Sequence, residues 1–245
     1  MKKTIALVLA VAVVLTLGAG AVWASNGQPA SKATAQVKDL TILEWTGPVV
    51  DGPTAWDTIL NQTIKTPNQK DLFIDVSLES GLYTRTLVKS KRNYEGDPDW
   101  DTSTAHAKID VRVLIDEGTA DERVASPGWV VFNEREQTLS AKFMGIFTGE
   151  CLEVDPLNHT VTINYTCLEP EELDLILDTM SANSFNFVID QLTPGVHTIS
   201  VQARIDANGA ADAGEFDARA TIGKGSVIIE VVRMIKGEDW LELPE

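Results

Sequence analysis

Cysteine, histidine and cationic residues are scarce in this 245-residue sequence. It holds 2 cysteines, 3 histidines and 20 lysines plus arginines against 36 acids, for a net charge of −16. The shortage of cations excludes a nucleic-acid binder, because a phosphate backbone is held by clustered cations that release its counterions. It equally excludes electrostatic attachment to an anionic membrane surface. His106, His159 and His197 are too widely separated to suggest a zinc site. There is no Gly-x-Ser-x-Gly elbow, no His-Glu-x-x-His helix and no Gly-x-x-x-x-Gly-Lys-Ser/Thr loop. Gly223-Lys224-Gly225-Ser226 lacks the upstream glycine of a phosphate loop and reads as a turn between strands. What is present is a 44% hydrophobic, 23% charged chain, which is the composition of a globular protein.

The N-terminus has the three parts of a secretory signal. Lys2 and Lys3 precede an apolar run from Ile5 to Leu17, and small residues follow as far as Ala24. Val22 and Ala24 occupy the positions a signal peptidase reads, so cleavage is expected between Ala24 and Ser25. Cleavage removes two lysines and no acid, and −16 becomes −18. The other reading is a retained anchor, since 21 residues from Thr4 to Ala24 can span a bilayer. No later run is long enough to span. Residues 1–24 are thus read as signal, 25–36 as a flexible leader, and 37–245 as one domain, with a split near Asp116–Ser126 as the alternative.

The body alternates at period two, the mark of strands with one buried face. Leu72, Ile74, Val76 and Leu78 form one such stripe. Ala107, Ile109, Val111, Val113 and Ile115 alternate with Lys108, Asp110 and Arg112; Ile199, Val201, Ala203 and Ile205 alternate with Gln202 and Arg204. Turn chemistry separates these runs at Ser80-Gly81, Ser126-Pro127-Gly128, Asp155-Pro156-Leu157-Asn158, Thr193-Pro194-Gly195 and Asn208-Gly209. The expected fold is all-β: an antiparallel β-sandwich or jelly-roll of about ten strands. One exception is expected. Pro170-Glu171-Glu172 followed by Leu173, Ile176, Leu177 and Met180 at helical spacing predicts an amphipathic helix over 170–181.

Cys151 and Cys167 both lie in the secreted portion, where an even count reads as a disulfide; two free thiols are the other reading. Closing a loop of this size stabilises by about 3 kcal/mol in the chain-entropy model. Asp97, Asp99 and Asp101, with Glu95 just before, supply hard oxygens at alternate positions and form a candidate calcium site. Thr102 and Lys108 stand where a helix-loop-helix calcium loop needs glycine and glutamate, so ligands from elsewhere would have to complete it. The bland reading is a solvated acidic turn. Asp206, Asn208, Asp212, Glu215 and Asp217 make a second, sparser acidic stretch. Trp100 inside the first loop is a candidate sugar-stacking ring; of Trp45, Trp56, Trp129 and Trp240 most read as core or rim packing, with a sugar platform as the other reading for any one of them. Acceptor triplets begin at Asn61, Asn158 and Asn164.

The stretch Leu192-Thr193-Pro194-Gly195-Val196-His197-Thr198-Ile199-Ser200-Val201-Gln202-Ala203, followed by Asp206, Asn208 and Gly209, resembles late strands of immunoglobulin-like modules in secreted bacterial proteins. That resemblance implies a β-sandwich and an adhesive, spacer or presenting role. It covers about 20 of 245 residues and transfers no functional residue. The expected function is a secreted or surface-exposed, non-catalytic binding or structural protein with a protein or glycan partner. The alternative is a secreted hydrolase, acting on polysaccharide through the carboxylates of Asp97, Asp99 or Asp101. A deep pocket gathering Glu95, the three aspartates and His106 would favour the enzyme. A shallow sheet face bearing exposed tryptophans would favour glycan binding.

Overall fold

Val, Ile and Leu at every second position, with Asp, Lys, Arg and Thr between them, favour extended ladders with one buried face. The computed structural model describes residues 33–39, 52–92, 97–145, 152–163, 169 and 171–235. The signal segment, Glu95, Cys151, Cys167 and Asn164 therefore lie outside the described residues.

Among the described residues there are eleven strands and no helix. The first five are β1 (Ala33–Lys38), β2 (Asp57–Thr66), β3 (Lys70–Lys89), β4 (Lys91–Arg92) and β5 (Pro98–Ile115). Then come β6 (Arg123–Lys142), β7 (Leu152–Asp155) and β8 (Thr160–Ile163). The last three are β9 (Glu172–Leu192), β10 (Gly195–Ala211) and β11 (Glu215–Val232). β1 begins inside the stretch assigned to the leader and pairs with β11 from Ala33 onward.

The main sheet has the order β1-β11-β3-β9-β6-β5-β10-β2, with β4 on β5 and a separate β7–β8 hairpin. Every pairing is antiparallel. At 18 residues, β5 and β11 each run roughly 60 Å. The sheet comes nearly round on itself. Between β9 and β6 the ladder shrinks to one pair, Ser126 with Val188, and side chains take over. Asn133 Nδ2 donates to the Ser80 and Ser181 hydroxyls, Arg135 to the Leu82 and Leu177 carbonyls and the Thr179 hydroxyl, and Gln137 to the Leu175 carbonyl. At the other seam Gln62 donates to the Ala35 carbonyl at 3.1 Å, and the Asn61 amide donates to Gln36 Oε1 at 3.0 Å.

Inside lie Leu72, Ile74 and Val76 of β3, Ile109, Val111 and Val113 of β5, Phe187 of β9, Ile199 and Val201 of β10 and Ile229 of β11, all at 0% exposure. Burying each contributes about 1.5–3 kcal/mol. Towards the Lys89 end of β3 the interior turns polar. There Thr84 and Thr86 hydrogen-bond Gln137, and Ser103 donates to the Glu215 carbonyl.

Two expectations need correction. Residues 172–181 are not helical; they begin β9 and pair one for one with Lys89 through Ser80 of β3. Leu173, Leu175, Ile176, Leu177 and Met180 are 38–58% exposed, so no buried stripe existed for a helix to serve. Leu173, Leu175 and Leu177 also satisfy period two, and the ladder with β3 decides between the two periods. The second correction concerns turns. Ser80-Gly81, Ser126-Pro127-Gly128, Asn208-Gly209 and Gly223–Ser226 all fall within strands, the last at a register shift of β11. At Gly81 a Cβ would meet Met180 Sδ and Thr221 Oγ1 at 2.5 Å, so glycine there permits close strand approach rather than a bend.

Asp155-Pro156-Leu157-Asn158 does turn, joining β7 to β8. The Asp155 carboxylate accepts from Asn158 Nδ2 at 2.6 Å and from the Leu157 and Asn158 amides at 2.9 and 3.3 Å. The Asn158 side-chain bond, then the backbone bonds, hold this carboxyl below its usual range. A lowered value means the turn is tied at neutral pH and released as pH falls through that lower midpoint. NMR titration should place the Asp155 midpoint below an ordinary aspartate and, with Asn158→Ala, return it upward.

Candidate functional site

The acidic loop opens into the start of β5. Asp97 and Trp100 are exposed, and the Asp99 carboxylate accepts from the Trp100 amide at 2.9 Å. Asp101 points the other way. It is 0% exposed, and its two oxygens accept from the Lys89 amide at 2.7 Å and the Ala213 amide at 2.8 Å. An extended strand spreads alternate carboxylates instead of curling them round an ion. Among the described residues no group of three or more His, Cys, Asp and Glu is placed to hold a metal.

The second acidic stretch is paired with cations. Lys91 bridges Asp212 at 3.3 Å, Lys89 bridges Glu215 at 3.3 Å and Arg219 bridges Asp217 at 2.7 Å. The Glu215 hydrogen bond, then Glu172, push the Lys89 ammonium above its ordinary value. His106 lies on the outer face against Glu134 at 2.9 Å. His197 faces inward beside a cavity of about 260 Å³. Its Nδ1 meets Asp116 at 2.7 Å and its Nε2 meets the Thr193 carbonyl at 2.8 Å, so both nitrogens are engaged in holding the fold.

The outer face of β6, β5, β10 and β2 carries a different constellation. Pairing register sets Trp129, Arg112, Gln202 and Thr58 in one row across these four strands. The next row holds Val131, Asp110 and Arg204, with Trp56 just before β2; the third holds Glu134, Lys108 and Asp206. The Arg112 guanidinium sits 4.4 Å from the centre of the Trp56 ring, and that of Arg204 sits 4.6 Å from Trp56 and 5.3 Å from Trp129. Ring quadrupoles attract both cations and hold them flat. Trp129 remains 53% exposed.

Hydrogen bonds from beneath fix the arginines. Arg112 Nε donates to Gln202 Oε1 at 2.8 Å, and Arg204 Nε donates to Asp110 Oδ2 at 2.9 Å. Gln202 in turn donates to Glu117 at 2.6 Å and to the Thr58 hydroxyl at 3.2 Å. Asp110 is fully buried under this layer, and its Oδ1 has no hydrogen-bond partner among the described residues. The sequence placed Asp110, Arg112, Gln202 and Arg204 on polar faces. Nothing in it showed that three distant segments bring them to one patch, and it did not single out Trp56 or Trp129 from the other tryptophans. The usable signal was tryptophan at a polar-face position, which solvation alone does not explain.

No protein-family model matches the chain, and no curated protein gives a significant match. Among solved structures, the infectious bursal disease virus Gx strain shares 7% identity at a TM-score of 0.18. That alignment covers 83% of this chain and 43% of the viral one, so this chain spans under half of that neighbour. The Cry23Aa1 and Cry37Aa1 binary protein complex shares 10% identity over 85% and 81% of the two chains, at a TM-score of 0.14. The all-β architecture therefore stands on the strands themselves, and no immunoglobulin-like family is confirmed.

Proposed function

We propose that the mature chain is a secreted, non-catalytic protein that binds a saccharide on the outer face of β6, β5, β10 and β2. The observation that carries this is the exposed Trp129 ring beside two arginines locked flat against Trp56. A flat aromatic surface ringed by fixed polar groups suits a sugar, whose apolar ring face stacks while its hydroxyls hydrogen-bond. Residues 1–24 support export, and the likeness of residues 192–209 to immunoglobulin-like modules agrees with an adhesive role. The two four-stranded halves of the ring are read as the layers of a β-sandwich.

A glycan array combined with a polysaccharide-hydrolysis screen on mature protein tests this. Binding without turnover is expected, and Trp129→Ala should weaken it about tenfold at unchanged melting temperature. Hydrolysis above background would replace the proposal with the secreted hydrolase.

A further inference from the structure

The arginines of this face differ from the others in how they spend their donors. Arg85 gives Nε and an Nη to Asp174, Arg123 gives both Nη groups to Asp190, and Arg135 reaches carbonyls and a hydroxyl. Arg112 and Arg204 bond inward through Nε alone. Among the described residues their Nη groups reach no hydrogen-bond acceptor, and no acid lies within ion-pair distance of Arg112, whose one hydrogen-bond partner is the neutral amide of Gln202. Two guanidiniums on one ring repel each other, and of the two only Arg204 has a carboxylate, Asp110, in contact. Lys108 stands one row further along, 3.6 Å from Asp206.

We infer that the saccharide is acidic, carrying uronate or sulfate groups that Arg112 and Arg204 bind through their Nη pairs beside Trp129. This rests on the saccharide-binding proposal and adds the ligand's charge. A guanidinium presents two parallel N–H donors to the two oxygens of a carboxylate or sulfate, which is the strong, directional form of anion recognition. That form needs the fork held in advance. Here the Nε bond fixes each fork from below, and the tryptophan ring fixes its plane, so little rotamer entropy is lost on binding. Asp110, fully buried, aligns Arg204 without itself facing the ligand.

Calorimetry on the mature chain would compare oligogalacturonate with its methyl ester, and a heparin oligosaccharide with its desulfated form. At least one acidic ligand should bind, more weakly as salt is raised, with its neutral counterpart at least tenfold weaker. Arg112→Gln is the clean variant because it breaks no ion pair, and it should cost about tenfold at unchanged melting temperature. Arg204→Lys keeps the charge and loses the fork, so it too should weaken binding. Equal affinity for an acidic ligand and its neutral counterpart would overturn the inference and leave saccharide binding standing. Failure of every saccharide, acidic or neutral, to bind folded protein would overturn both.

Discussion

Asp101→Ala should lower the unfolding free energy by about 3 kcal/mol, measured by urea titration at neutral pH. Its carboxylate is wholly buried and takes one backbone amide from the end of β3, Lys89, and one from the turn between β10 and β11, Ala213. Hydrogen bonds to a buried charge contribute about 1.5–3 kcal/mol each, and alanine leaves both amides without an acceptor. Asp101→Asn keeps one carbonyl oxygen and should lose about half as much. The same titration speaks to calcium. Excess EDTA and millimolar calcium should leave the melting temperature of the parent unchanged. A calcium-dependent rise that Asp101→Ala abolishes would instead assign this carboxylate to a metal.

The second large effect is expected at Asp116. This residue sits at φ 55°, a conformation L side chains rarely adopt, where the chain leaves β5. Its Oδ1 accepts from the Thr198 amide at 2.8 Å and its Oδ2 meets His197 at 2.7 Å. The other ring nitrogen of His197 meets the Thr193 carbonyl at 2.8 Å, so the ring is held from both sides. Asp116→Ala removes the carboxylate, strands a ring that is 6% exposed, and keeps the unfavourable φ. A loss of about 3 kcal/mol is expected, with hydrogen exchange at the Thr198 amide greatly accelerated. Asp116→Gly relieves the backbone and should recover about 1 kcal/mol of that loss. A loss below about 1 kcal/mol for the alanine variant would show that this corner is held by the β5–β10 ladder alone.

Period two was legible wherever one face is buried. Leu72 to Leu78, Ala107 to Ile115 and Ile199 to Ile205 are found on the strands, and the faces, that the sequence assigns them. Helical spacing misled at Leu173–Met180, where both faces meet solvent and burial imposes no period. Ser80-Gly81 and Asn208-Gly209 misled for another reason. Glycine marks close approach as readily as a turn, and only the neighbour, Met180 for Gly81 or Phe216 for Gly209, tells which. The candidate site lay beyond sequence reading because it depends on lateral register. Arg112, Gln202 and Trp129 are neighbours only because β5 pairs with both β10 and β6, a choice made by long-range packing.

The seam between β9 and β6 has a consequence for how copies of this chain meet. Unpaired strand edges template the addition of further strands from other molecules. Along β9 the carbonyls of Leu175 and Leu177 are already occupied by Gln137 and Arg135 of the same chain. Glu172 and Asp174 on this border are tied to Lys89 and Arg85 of β3, so their side chains too are held within the ring. Side chains that complete the ring thus also guard it against polymerisation, in a stretch whose exposed leucines would otherwise invite it.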